Sequence, residues 1–163
     1  MKNNAPIVLS LFPNKRGFGF ACIEFPKKII DSGMVNVRPI SNSGLFDRFI
    51  NFLEFYKPHL IVIRDCENLS ACKKRTQKLI NSIIEHANMK KLPVHRYSRQ
   101  QIRDVFEQFG ATTKYEIAQS IVKWFEGLPW CAPKIRKTWK DEDFNMGIFD
   151  ALALAITHKY LSE

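Results

Sequence analysis

The chain has 163 residues and a mass of 19.0 kDa, the size of one domain with room for a sizeable apolar core. Hydrophobic residues make up 45% and aromatic residues 12%. That balance excludes a disordered chain, and no apolar run reaches membrane-spanning length. The 25 Lys and Arg against 16 Asp and Glu give a formal charge of +9, which favours a polyanionic partner, nucleic acid ahead of an acidic membrane surface.

Ile7 to Phe12 is a short apolar run ending at the turn signature Pro13-Asn14-Lys15-Arg16-Gly17. Phe18 to Phe25 reads as a second strand, and the alternation of Met34 to Arg38 predicts a third, which together make an antiparallel meander. Phe46, Ile50, Phe52, Leu53 and Phe55 predict an amphipathic helix over 44–57, stopped by Pro58. His59 to Ile63 is a compact β-branched run, the best candidate for a buried central strand. Ser70 to Asn88 predicts a helix with Leu79, Ile80, Ile83 and Ile84 on one side and Lys73, Lys74, Arg75 and Lys78 in its early turns. Pro93 to Tyr97 is a further strand. Helices near 98–108 and 113–126 follow, with Thr112 or Thr113 as the cap of the second and no role for Glu116 or Glu126 beyond solubility. Leu128 to Lys140, with its prolines, tryptophans and cations, reads as a loop before a final apolar helix. The order β-β-β-α-β-α-β-α-α-loop-α describes a single α/β domain over residues 1–163 with a mixed sheet.

The cysteines at 22, 66, 72 and 131 form no CxxC pair and have neither metal-site nor disulfide spacing, so reduced thiols and a cytoplasmic location are expected. Met1 to Pro6 does not resemble a secretory signal.

The final helix carries one conspicuous residue. Asp150 leads into Ala151-Leu152-Ala153-Leu154-Ala155-Ile156-Thr157-His158, a segment without Gly or Pro. A helix this apolar is buried, and an acid within it requires a hydrogen-bond donor, a cation or a metal. A first-turn position, where free N–H groups favour negative charge, is the structural explanation.

Phe149 to His158 resembles the last helix of the RuvC family of Holliday junction resolvases. The likeness continues through Leu92 to Arg103, Phe109 to Lys114, Pro58 to Ile63, Leu9 to Pro13 and Gly17 to Gly19, in the same order along the chain. It implies an RNase H-like fold, with a mixed five-stranded sheet flanked by helices, and a homodimer facing branched DNA. It also implies a carboxylate cage for two Mg²⁺ or Mn²⁺ ions, which need hard oxygen ligands.

The cage is where this chain departs from the pattern. The family's first strand ends in Asp-Pro-Gly, and the matching acid is Phe12 here; the central strand's Glu is matched by Arg64, and the acid one turn before Asp150 by Gly147. Only Asp150 remains. Asp65 and Glu67 beyond the central strand, and Asp141, Glu142 and Asp143 before the last helix, are the acids available to substitute. Alternation turns Asp65 to the opposite face unless a bulge intervenes; Glu67 stands where the family has an aromatic residue, and Glu24 lies at the far end of its strand.

Two arrangements follow: Arg64 pairs with Asp150 as a charge-neutral relic, or relocated acids keep a weakened metal site. The first implies a branched-DNA-binding protein with lost or reduced cleavage and no cofactor. The second implies an active Mg²⁺- or Mn²⁺-dependent endonuclease, with Asp150, Asp65 and Glu67 as catalytic candidates and Asp150 and Asp143 as metal ligands. A protein-interaction module on the same fold is the third reading. For DNA contact the resemblance points to Lys114 and Arg103. Charge clustering adds Lys73, Lys74 and Arg75, and Lys137 among Lys134, Arg136, Lys140, Trp130 and Trp139. His95 and His158 are expected to be structural.

Overall fold

The computed structural model describes residues 5–25, 28–66, 72–125 and 145–162. Three strands open the fold: β1 (Ile7–Asn14), β2 (Gly17–Glu24) and β3 (Lys28–Val35), followed by α1 (Asn42–Tyr56), β4 (Leu60–Arg64) and α2 (Lys74–Met89). β5 (Val94–Tyr97), α3 (Arg99–Glu107), α4 (Lys114–Trp124) and α5 (Met146–Leu161) complete it. The expected loop over 128–140 lies outside the described residues. The sheet order is β3-β2-β1-β4-β5. β1, β2 and β3 pair antiparallel, whereas β1, β4 and β5 run parallel, so the sheet is mixed.

The expected third strand is corrected. β3 begins at Lys28 and ends at Val35, so Asn36 to Arg38 lie beyond it. Ladder pairing with β2, including Phe18 opposite Val35 and Cys22 opposite Asp31, outweighs the alternation that favoured 34–38. The first turn is also tighter than expected. Pro13 and Asn14 stay in β1, and Lys15-Arg16 alone bridge Asn14 to Gly17, whose φ of +142° suits glycine.

Side chains of β1 alternate between two cores. Val8 and Phe12 join a cluster with α3, α4 and α5, whereas Leu9 and Leu11 join one with α1 and α2. α5 is buried without interruption from Met146 to His158, as a helix apolar on all sides must be. It packs across the sheet and against α3 and α4. The Ser10 hydroxyl at mid-β1 donates to the Ala151 carbonyl at 2.6 Å. Gly19 lies opposite Phe12 in the β1–β2 ladder, and a Cβ on it would collide with the Gly147 backbone. Two glycines thus let the start of α5 touch β2.

The expectation of reduced cysteines throughout is corrected too. Cys66 and Cys72 form a disulfide with a Cα–Cα distance of 6.0 Å. Their spacing matches no motif; the fold joins them by bringing the end of β4 near the start of α2. Cys22 is a buried free thiol; burial, reinforced by Asp31, pushes it up to about 12. No helix among the described residues is long and apolar enough to cross a membrane.

His158 is structural, as expected. Its Nδ1 lies 2.8 Å from the Tyr97 hydroxyl, and the Phe25 and His95 rings stand 5.9 and 4.5 Å from its own. Burial, then the neighbouring His95, lowers its pKa below the ordinary 6.5. The unfolded chain therefore takes up the proton first, so stability is full above pH 6.5 and falls as pH drops through the lower folded value. Denaturation across pH should show this acid loss, with a shallower slope in His158→Gln. Gly19→Ala should cost roughly 3 kcal/mol in the same assay, because a carbonyl rather than a flexible side chain meets the new methyl.

Candidate nucleic-acid interface

The carboxyl ends of β1, β4 and β5 meet the starts of α3, α4 and α5 at one edge of the sheet. β1 presents the Phe12 ring there, 2% exposed on the α5 side. Arg64 closes β4, and by alternation with Val62 it belongs to the same side. Asp150 enters from α5. The helix starts at Met146, with no acid in its first turn, so a capping role for Asp150 is excluded. Asp150 sits in the second turn, where free N–H groups no longer answer a charge.

Its partners are cations from two other helices. Arg99 Nη2 lies 3.0 Å from Asp150 Oδ1, and Lys114 Nζ lies 3.8 Å from Oδ2; side-chain exposures are 7% for Asp150, 19% for Arg99 and 39% for Lys114. The expected Arg64–Asp150 pair is thereby corrected. Arg64 Nη1 instead donates to the Pro13 carbonyl at 2.9 Å, and its guanidinium lies 4.6 Å from the Phe12 ring centroid. The Arg99 guanidinium lies 4.9 Å from that same centroid. The negative face of one phenyl ring thus attracts both cations, at the position matched to the family's first acid.

Local sequence explains why Arg99 and Lys114 arrive together. Ser98 caps α3: its side chain accepts from Gln101 N at 3.2 Å, and Gln101 Oε1 accepts from Ser98 N at 2.8 Å. Thr113 and Glu116 repeat the reciprocal box on α4 at 3.1 and 3.2 Å. In each box the residue after the cap is the cation that reaches Asp150. The expectation that Glu116 serves solubility alone is corrected. Hydrogen bonds from Thr113 and Thr112 hold its pKa below the ordinary carboxylate value.

Other candidates fall as follows. Asp65 N continues the ladder onto the Tyr97 carbonyl at 2.9 Å, so no bulge returns its side chain to Asp150. Glu24 is opposite Ile7, roughly 17 Å along β1 from Phe12 at strand rise, and contacts Lys28 at 3.9 Å. A Cβ on Gly147 would strike the flexible end of Met34, which would have to move. Lys73 and Lys74 are exposed at the start of α2. Arg75 is partly buried and spans to β1, donating to the Asn14 carbonyl at 2.9 Å and Asn42 Oδ1 at 3.2 Å; burial lowers its pKa. Arg103 is exposed on α3. Glu67, Asp141, Glu142, Asp143, Trp130, Lys134, Arg136, Lys137, Trp139 and Lys140 lie outside the described residues.

The site residue that sequence reasoning missed is Arg99. The signal was present in Ser98-Arg99-Gln100-Gln101 and Thr113-Lys114-Tyr115-Glu116, two capping boxes with the same internal cation. Among the described residues no group of three or more His, Cys, Asp or Glu is gathered. One carboxylate engaged by two side-chain cations does not fit the donor set of a divalent-metal cage.

This architecture is the RNase H-like fold in its RuvC form. The structure of Thermus thermophilus RuvC bound to a Holliday junction substrate superposes with a TM-score of 0.71 at 15% identity, covering 96% of this chain and 94% of that one. A second T. thermophilus RuvC structure gives 0.67 at 16% identity, with 96% and 95% coverage. The yeast mitochondrial Holliday junction resolvase Ydc2 gives 0.61 at 12% identity, with 94% and 78% coverage. No protein-family model and no curated protein matches the chain by sequence.

Removing one partner of a largely buried ion pair leaves the other charge desolvated. Arg99→Ala should therefore destabilise the fold by roughly 3 kcal/mol, and Arg99→Ala combined with Asp150→Asn by distinctly less. A double-mutant cycle by chemical denaturation reads the coupling, and simple additivity would refute it.

Proposed function

We propose that the protein binds branched DNA and has lost two-metal strand cleavage. The observation that carries this reading is Asp150, the one acid kept at the four matched positions, engaged by Arg99 and Lys114 rather than left to a metal. Phe12 and Arg64 complete the argument: an apolar ring and a guanidinium stand where cation ligands would be required. The charge of +9 supports nucleic acid as the partner, because phosphate contacts rest largely on electrostatics. The branched structure is suggested by the RuvC fold and by the neighbour bound to a Holliday junction. A homodimer, implied by the RuvC resemblance, belongs to the proposal.

The test is a four-way junction titrated with the protein over a range of ionic strength, with Mg²⁺ or Mn²⁺ present. Affinity should fall steeply with salt while the junction strands stay intact at high protein excess. Specific nicking that Asp150→Asn abolishes would establish the endonuclease reading instead, with relocated acids. Absence of any salt-dependent binding would leave the fold as a protein-interaction module. Asp150→Asn should still bind the junction with a steep salt dependence, since the cations that would meet phosphate remain.

A further inference from the structure

We infer that Arg64, Arg99 and Lys114 form a metal-independent phosphodiester clamp in the place where the fold would gather divalent cations. This rests on the branched-DNA reading and specifies how its central site holds the ligand. Arg64 and Arg99 lie against one ring, 4.6 and 4.9 Å from the Phe12 centroid, near enough to each other to meet neighbouring phosphates of one strand. Lys114 joins them through the shared carboxylate of Asp150.

The chemistry selects phosphate. Guanidinium presents a planar fork of donors that matches a phosphate's oxygens, and an ammonium adds a point charge. Asp150 holds Arg99 by one oxygen at 3.0 Å and Arg64 rests on the Pro13 carbonyl. These contacts fix both side chains before any ligand arrives, which lowers the entropy lost on binding. Electrostatics point the same way. The first residue of α3 is Arg99, and that of α4 is Lys114. Both charges oppose the helix dipole, an unfavourable placement that a bound anion offsets.

The experiment measures affinity of the full chain for a fluorescent four-way junction in EDTA and in Mg²⁺, at several salt concentrations, for wild type and variants. Wild-type binding should be as tight in EDTA as in Mg²⁺ at matched ionic strength. Arg64→Gln should weaken binding on the order of tenfold, the scale of a charged hydrogen bond, and reduce the salt slope by about 0.9, one phosphate contact. Lys90→Gln removes an equal charge from the exposed end of α2 and should change affinity far less. Arg64→Lys, which keeps the charge but not the fork, should fall between. If Arg64→Gln does not fold, Lys114→Gln supplies the same readout from a more exposed position. Binding that requires Mg²⁺, or equal losses for Arg64→Gln and Lys90→Gln, overturns the clamp while leaving junction binding in place. Failure of wild type to bind the junction at all overturns both.

Discussion

The pairing of Asp150 with Arg99 is the constraint on which the rest of this site depends. A carboxylate in the second turn of a helix buried along thirteen residues from Met146 to His158 has no free backbone donors to answer it. It must find its partner from another element, and that requirement fixes where α3 and α4 can start. The two capping boxes meet it by local chemistry. Each one sets the first turn of its helix and in doing so aims the following cation, Arg99 or Lys114, at the same carboxylate. Helix initiation and charge neutralisation are thus a single event at two places.

Backbone contact supplies the other half of the geometry. Gly19 and Gly147 touch, and Gly19 faces Phe12 across the β1–β2 ladder. The approach that brings Asp150 beside Phe12 therefore uses the very position, 147, at which the RuvC resemblance expects an acid. A side chain there would have to displace the end of Met34. Phe12, Arg64 and Gly147 lie close together, since Arg64 packs on Phe12 and Gly147 meets Gly19, the ladder partner of Phe12. The ring fills the space where a bridging acid is expected, the guanidinium of Arg64 packs on that ring, and the glycine draws the helix in.

Much of this was legible in the sequence. The element order, the mixed sheet, the buried last helix and the isolation of Asp150 follow from periodicity and from the need of a buried acid for a partner. The partner's identity was not legible. Arg64 was favoured because it occupies a matched strand end, yet its side chain turns to the Pro13 carbonyl at 2.9 Å. Arg99 begins a different helix, fifty-one residues away from Asp150, and only the three-dimensional meeting of β5 with α5 joins them. β3 was misplaced for a related reason: strand limits depend on the neighbour's register, and Met34 to Val37 alternates as well as Ile29 to Val35 pairs. The Cys66–Cys72 bond likewise arises from where β4 and α2 end up rather than from spacing.

Cations rather than a cluster of acids are gathered at this end of the sheet among the described residues. In a two-metal arrangement the acids hold cations, and those cations meet the oxygens of the scissile phosphate. Here the cations are covalently part of the chain, two on capped helix starts and one on a strand end. Their placement opposes the dipoles of α3 and α4, and one carboxylate buried at their centre moderates the repulsion among them. The same buried charge that steadies the fold therefore also sets how Arg99 and Lys114 are held.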